Sequence, residues 1–194
     1  MDAVRELLAS PFAGCFDLSS QPSETVERYG DNGFGRNMRV SRRLLEVGVR
    51  DVEVQLPGWD THVGNFPAVR RLCGTLEPAW LALMDDLKSS GLWEDTLIVW
   101  MGEFGRTPVI NGQSGRDHYP RSIPVVLAGA DIGGRAIGST GKSGQDPSDA
   151  PHRVADLMYT LMTLLGVDPS QEFTTEFGSP TDATNEGQLI SGII

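Results

Sequence analysis

Cysteine and histidine are scarce in this chain, two of the first and three of the second among 194 residues. Cys15 and Cys73 are too few and too far apart to build a disulfide framework or a Cys-x-x-Cys site, and both read as free thiols. Long apolar runs are missing as well. No stretch approaches the roughly 18 consecutive apolar residues of a membrane span, so no membrane partner is expected. Met1 to Leu8 reads as a short amphipathic helix, without the basic end and apolar centre of a secretory leader. On that ground a soluble, cytoplasmic chain is expected. Basic residues are outnumbered too: 16 Lys and Arg against 26 Asp and Glu leave a formal charge of -10, which repels nucleic acid. Arg36, Arg39, Arg42 and Arg43 do cluster, but they interleave with Met38, Val40, Leu44 and Leu45 and read as the solvated face of a helix.

The 39% hydrophobic content suits one core, so residues 1–194 are expected to form a single domain with an irregular tail over 168–194. Helices are expected from Gly35 to Val47, from Thr75 to Ser90 (stopped by Gly91), and after Pro151 to Gly166. Val49 to Leu56 alternates apolar with polar residues, the period of a strand with one buried face. The unbroken apolar run Thr96 to Met101 reads as a strand covered on both faces, and Ile123 to Leu127 as a third strand. Strand, helix and strand in alternation predict an α/β fold with a parallel sheet between helices.

Three loops carry the charged residues that could do chemistry. Gly58-Trp59-Asp60-Thr61-His62 follows the alternating segment, and Gly102-Glu103-Phe104-Gly105-Arg106 follows the apolar run. Gly115-Arg116-Asp117-His118 comes shortly afterwards. Two Asp/His pairs at expected strand ends suit a divalent ion, since imidazole and carboxylate are ligands for Zn and its neighbours. The plainer reading has Asp60 capping a turn and His118 lying in an exposed loop. Glu103 is either a further ligand or the structural partner of Arg106. Arg116 is either a clamp for anionic oxygens or a surface arginine. His152, beside Pro151, reads as a capping or surface residue. Ala136 to Ser143 fits a loose phosphate-binding loop, but Gly144, Pro147 and Pro151 leave no room for a helix starting on Lys142, which argues against nucleotide binding and keeps it as a third reading.

The motifs Gly58-Trp59-Asp60-Thr61-His62 with Asn65-Phe66, Glu103-Phe104-Gly105-Arg106-Thr107-Pro108 and Gly115-Arg116-Asp117-His118 together resemble a bacterial, sulfatase-like family of unknown function in the alkaline phosphatase superfamily. Tyr29-Gly30, Arg42-Arg43-Leu44, Ala128-Gly129 and Ile137-Gly138 extend the resemblance through most of the chain. It implies a partial three-layer α/β/α fold, and a divalent metal (Zn, Mn or similar) held by Asp60, His62 and His118, with Glu103 beside a second. It implies Arg106 and Arg116 near the reacting group of a small-molecule phosphate or sulfate ester. Glu103-Phe104 stands where the superfamily has an Asp-His pair, and no activated Ser or Thr nucleophile is found. Relatives are about twice as long and often exported, so this chain is expected to associate with itself or with a missing N-terminal half. The alternative to a hydrolase is a non-catalytic metal-binding or assembly module of the same fold.

Overall fold

The computed structural model describes residues 10–130, 132–148 and 151–193, and the helix expected over Met1 to Leu8 lies outside them. The chain divides into two compact units. Unit 1 comprises Met1–Trp93 with Ile110–Asp117, and unit 2 comprises Glu94–Val109 with His118–Ile194.

Unit 1 is helical. Among the described residues its helices are α1 (Pro11–Gly14), α2 (Ser23–Tyr29), α3 (Gly33–Glu46) and α4 (Asn65–Ser90). Along α4, Leu72, Leu76, Ala79, Leu83 and Leu87 are buried, a single stripe at helical spacing. That stripe packs with Tyr29, Phe34 and Met38 in the core of the unit. Helix α4 begins ten residues before the expected Thr75. Pro67 falls in its first turn, where no intrahelical N–H is needed, and Thr75 sits mid-helix with its hydroxyl bonded back to the Arg71 carbonyl. Gly91 closes the helix in the left-handed conformation, as its sequence position suggests. Of the arginines of α3 only Arg36 is exposed, so they do not form one solvated face. Arg39 is 6% exposed and donates to Gln21, while Arg42 reaches both Glu46 and Asp86. Asp86 also accepts the fully buried Tyr29 hydroxyl at 2.8 Å.

No strand forms over Val49 to Leu56. The apolar residues there are more covered than their polar neighbours, so the alternation reports burial, but no second strand supplies a ladder.

Unit 2 overturns the expected parallel sheet and the three-layer α/β/α architecture. Strand β1 (Leu97–Met101) pairs antiparallel with β4 (Val125–Gly129), and β2 (Gly105–Arg106) pairs antiparallel with β3 (His118–Tyr119). All sheets among the described residues have two antiparallel strands. The cause lies in the connection. A parallel pair needs a long crossover, usually a helix, whereas the chain here folds back on itself as one long hairpin. Met101 faces Val125 and Gly105 faces Tyr119, so the ladder resumes across an irregular patch. With one partner strand, β1 is not covered on both faces: Trp100 is 40% and Met101 49% exposed. The remainder is α5 (Val154–Leu164) and the hairpin of β5 (Glu172–Thr174) with β6 (Pro180–Asp182). Within the tail, Gln188 and Ile190 donate their N–H groups to Asp156 and to the Thr160 hydroxyl of α5.

Two stability tests follow from this packing. Leu87→Ala empties a fully buried position and is expected to cost about 2–5 kcal/mol in denaturant unfolding, and a loss below about 1 kcal/mol would contradict it. The Asp156 carboxyl is held below the ordinary carboxylate range, chiefly by the Arg153 N–H at its helix start. Its ionised form stabilises the fold above the unfolded carboxylate value of about 4, and this contribution is lost as pH falls through the lower folded value. Asp156→Asn is therefore expected to flatten the acid limb of stability against pH. Parallel limbs for variant and wild type would contradict it.

Candidate metal centre

The site residues of unit 1 sit where two loops are laced together. Gly64 and Asn65 donate their backbone N–H groups to the carbonyls of Gln113 and Ser114, and Arg116 donates to Thr61. Beneath them Thr61 and Asn65 are buried, with the Asn65 amide on the Thr61 hydroxyl at 2.6 Å. Gly115 makes the approach possible. A Cβ at that position would lie 1.8 Å from the His62 carbonyl oxygen, so no other residue fits without moving backbone.

Asn111 organises the second loop. Its side-chain oxygen accepts the N–H groups of Gln113 and Gly115 at 3.0 and 2.9 Å. Its side-chain nitrogen donates to the His62 carbonyl at 3.0 Å and to Asp117 Oδ1 at 3.1 Å. Two backbone donors face the oxygen and two acceptors face the nitrogen, so the flipped amide would break all four bonds.

His62 stands between two carboxylates. Nδ1 lies 2.7 Å from Asp117 Oδ1, and Nε2 lies 3.0 Å from Asp60 Oδ1. A neutral imidazole has one N–H to give. With the shorter contact taking that proton, Nε2 presents its lone pair toward the Asp60 carboxylate. The side chains are open to solvent, His62 at 42%. Arg116 joins the same loop pair through its backbone N–H on Thr61, and its guanidinium lies 6.0 Å from the centre of the Phe66 ring.

The other expected site residues belong to unit 2. His118 pairs with Arg106 in the β2–β3 ladder, and its ring centre is 4.1 Å from that of Phe104. Arg106 lies over the same Phe104 ring and 3.8 Å from Glu103, an ion-pair distance longer than a hydrogen bond. Glu103 is 65% exposed and open to solvent. The end of β1 that precedes it is itself exposed.

Residues 2–194 match the family described as protein of unknown function, DUF1501. The chain belongs to this family. No curated protein and no solved structure matches it. The structure of this DUF1501 chain thus brings Asp60 and His62 together with Asp117 and Arg116 in unit 1, and Glu103, Arg106 and His118 together in unit 2. Asn111 and the bridging role of Asp117 were not found in the sequence. The only signal was the Asn111-Gly112 pair, which marks a turn but not what the amide holds.

Gly115→Ala is expected to destabilise the protein by roughly 1–3 kcal/mol in denaturant unfolding, because the added methyl must displace the His62 carbonyl. Wild-type stability with unchanged His62 backbone resonances would show that the close approach is dispensable.

Proposed function

We propose that this chain is a divalent-metal-binding portion of a hydrolase acting on small phosphate or sulfate esters. The observation that carries the reading is the opposition of His62 Nε2 and Asp60 Oδ1 at 3.0 Å, with Asp117 on the other ring nitrogen. Two ligands of a tetrahedral zinc ion lie roughly 3.3 Å apart, given metal–ligand distances near 2 Å, so the observed pair needs little adjustment to share one. A carboxylate on the far nitrogen of a ligating histidine is the usual support for such a ligand.

Asp60 and His62 are the primary donors in this reading. By the resemblance of their motifs, His118 is the third and Glu103 a further carboxylate ligand. When bound, the ion would polarise an ester oxygen and favour ionisation of an attacking water. Arg116 and Arg106 would hold the non-bridging oxygens, since a guanidinium matches phosphate or sulfate with paired N–H donors. Membership of the sulfatase-like branch of the alkaline phosphatase superfamily rests on these motifs, and the sheet topology lends it no support.

Two hydroxyl-bearing residues of the loop pair already have structural places. Ser114 occupies the turn closed by Asn111, and the Thr61 hydroxyl is engaged by Asn65. A chain that binds metal yet turns over little ester is therefore expected. Elemental analysis of protein purified without chelator should find close to one Zn or Mn per chain, with most of it lost in Asp60→Asn and His62→Ala. Equal metal in wild type and both variants would overturn the reading. Aryl phosphate and sulfate should be hydrolysed far more slowly than about 1 per second. Faster multiple turnover, abolished by His118→Ala, would reveal a nucleophile that this account omits.

A further inference from the structure

We infer that Asn111 is the positioning residue of this site, setting the ring orientation and tautomer of His62 through Asp117; the inference rests on the metal-binding reading of Asp60 and His62. Asn111 touches no proposed ligand atom directly. Its Nδ2 instead holds His62 at two points, one through the backbone carbonyl and one through the Asp117 oxygen that faces Nδ1. The first contact fixes where the His62 backbone lies. The second fixes which lobe of the Asp117 carboxylate meets the ring. A single oxygen, Asp117 Oδ1, accepts from both His62 Nδ1 and Asn111 Nδ2.

The consequence is a defined proton arrangement. An acceptor pinned at Nδ1 keeps the imidazole N–H on that side, and Nε2 is left as the donor atom facing Asp60. The Asp117 side chain is half exposed, and the Asn111 amide that holds its Oδ1 is itself oriented by the backbone N–H groups of Gln113 and Gly115. The chain of dependence runs from a closed turn, through one amide and one carboxylate, to the lone pair that would meet the ion. An aspartate at 111 could accept the two backbone N–H bonds but would have no N–H left to give, and it would set a second negative charge against Asp117.

The test compares wild type with Asn111→Ala, Asn111→Asp and Asp117→Asn, each checked for an unchanged helical circular dichroism spectrum. The first readout is nitrogen-15 NMR of His62 in metal-free protein at mildly alkaline pH, where an ordinary imidazole is neutral. Wild type should show Nδ1 as the protonated nitrogen, and the folded Asn111 variants should shift toward the Nε2-protonated form. The second readout is Co(II) titration followed by visible absorption, where each variant should bind roughly 10- to 100-fold more weakly and with an altered band shape. Should the Asn111 variants fail to fold, Asp117→Asn tests the same relay from a half-exposed position. Wild-type tautomer and wild-type Co(II) affinity in folded variants would overturn the inference. Absence of Co(II) binding by wild type would overturn the metal reading instead, and the NMR comparison would still judge whether Asn111 sets the ring.

Discussion

The candidate site depends on one close approach of backbone, that of Gly115 against the carbonyl of His62. Everything else in the loop pair follows from it. With the two chains that near, Gly64, Asn65 and Arg116 find carbonyl partners across the gap, and the Asn111 amide reaches both His62 and Asp117. The side chains on top remain exposed, which suits groups that must meet a solute. Their geometry is set from below, by buried Thr61 and Asn65 and by a turn with no freedom left in its amide. Open donors on a fixed floor are what a binding site requires.

The hairpin of unit 2 explains why the two halves of the expected site lie in different units. Its strands carry Arg106 and His118 as a facing pair, and the segment between its arms, Ile110–Asp117, belongs to unit 1. One continuous excursion of chain therefore delivers Asp117 to His62 and His118 to Arg106. One of the three points at which the chain passes between the units is the peptide bond joining Asp117 to His118.

Much of the helical half was legible in the sequence, because an amphipathic stripe with a glycine stop is a local signal. Leu76, Leu83 and Leu87 face the core as their spacing implies, and Gly91 ends the helix. The start of α4 was not legible, since Pro67 looks like a breaker until its place in the first turn is known. The sheet was misread for a different reason. A short apolar run does not encode the direction of its partner, and β1 with β4 closes a hairpin although both read like strands of a parallel core. The same limit applies to Val49 to Leu56, where the alternation tracks burial and no ladder forms. At the candidate site, the Asp/His motifs mark side chains that the structure brings into contact, Asp60, His62 and Asp117. What they could not give was Asn111, whose importance comes entirely from where two distant loops meet.

The central claim is that His62 Nε2 and Asp60 Oδ1 face each other in order to share a divalent ion, with Asp117 reserved for Nδ1. Crystals grown with zinc, and data collected on both sides of the zinc absorption edge, address it directly. The account predicts one strong anomalous peak about 2 Å from both His62 Nε2 and Asp60, with the Nδ1 contact to Asp117 retained. No peak there, or a peak on Asp117 with the imidazole turned away from Asp60, would contradict it.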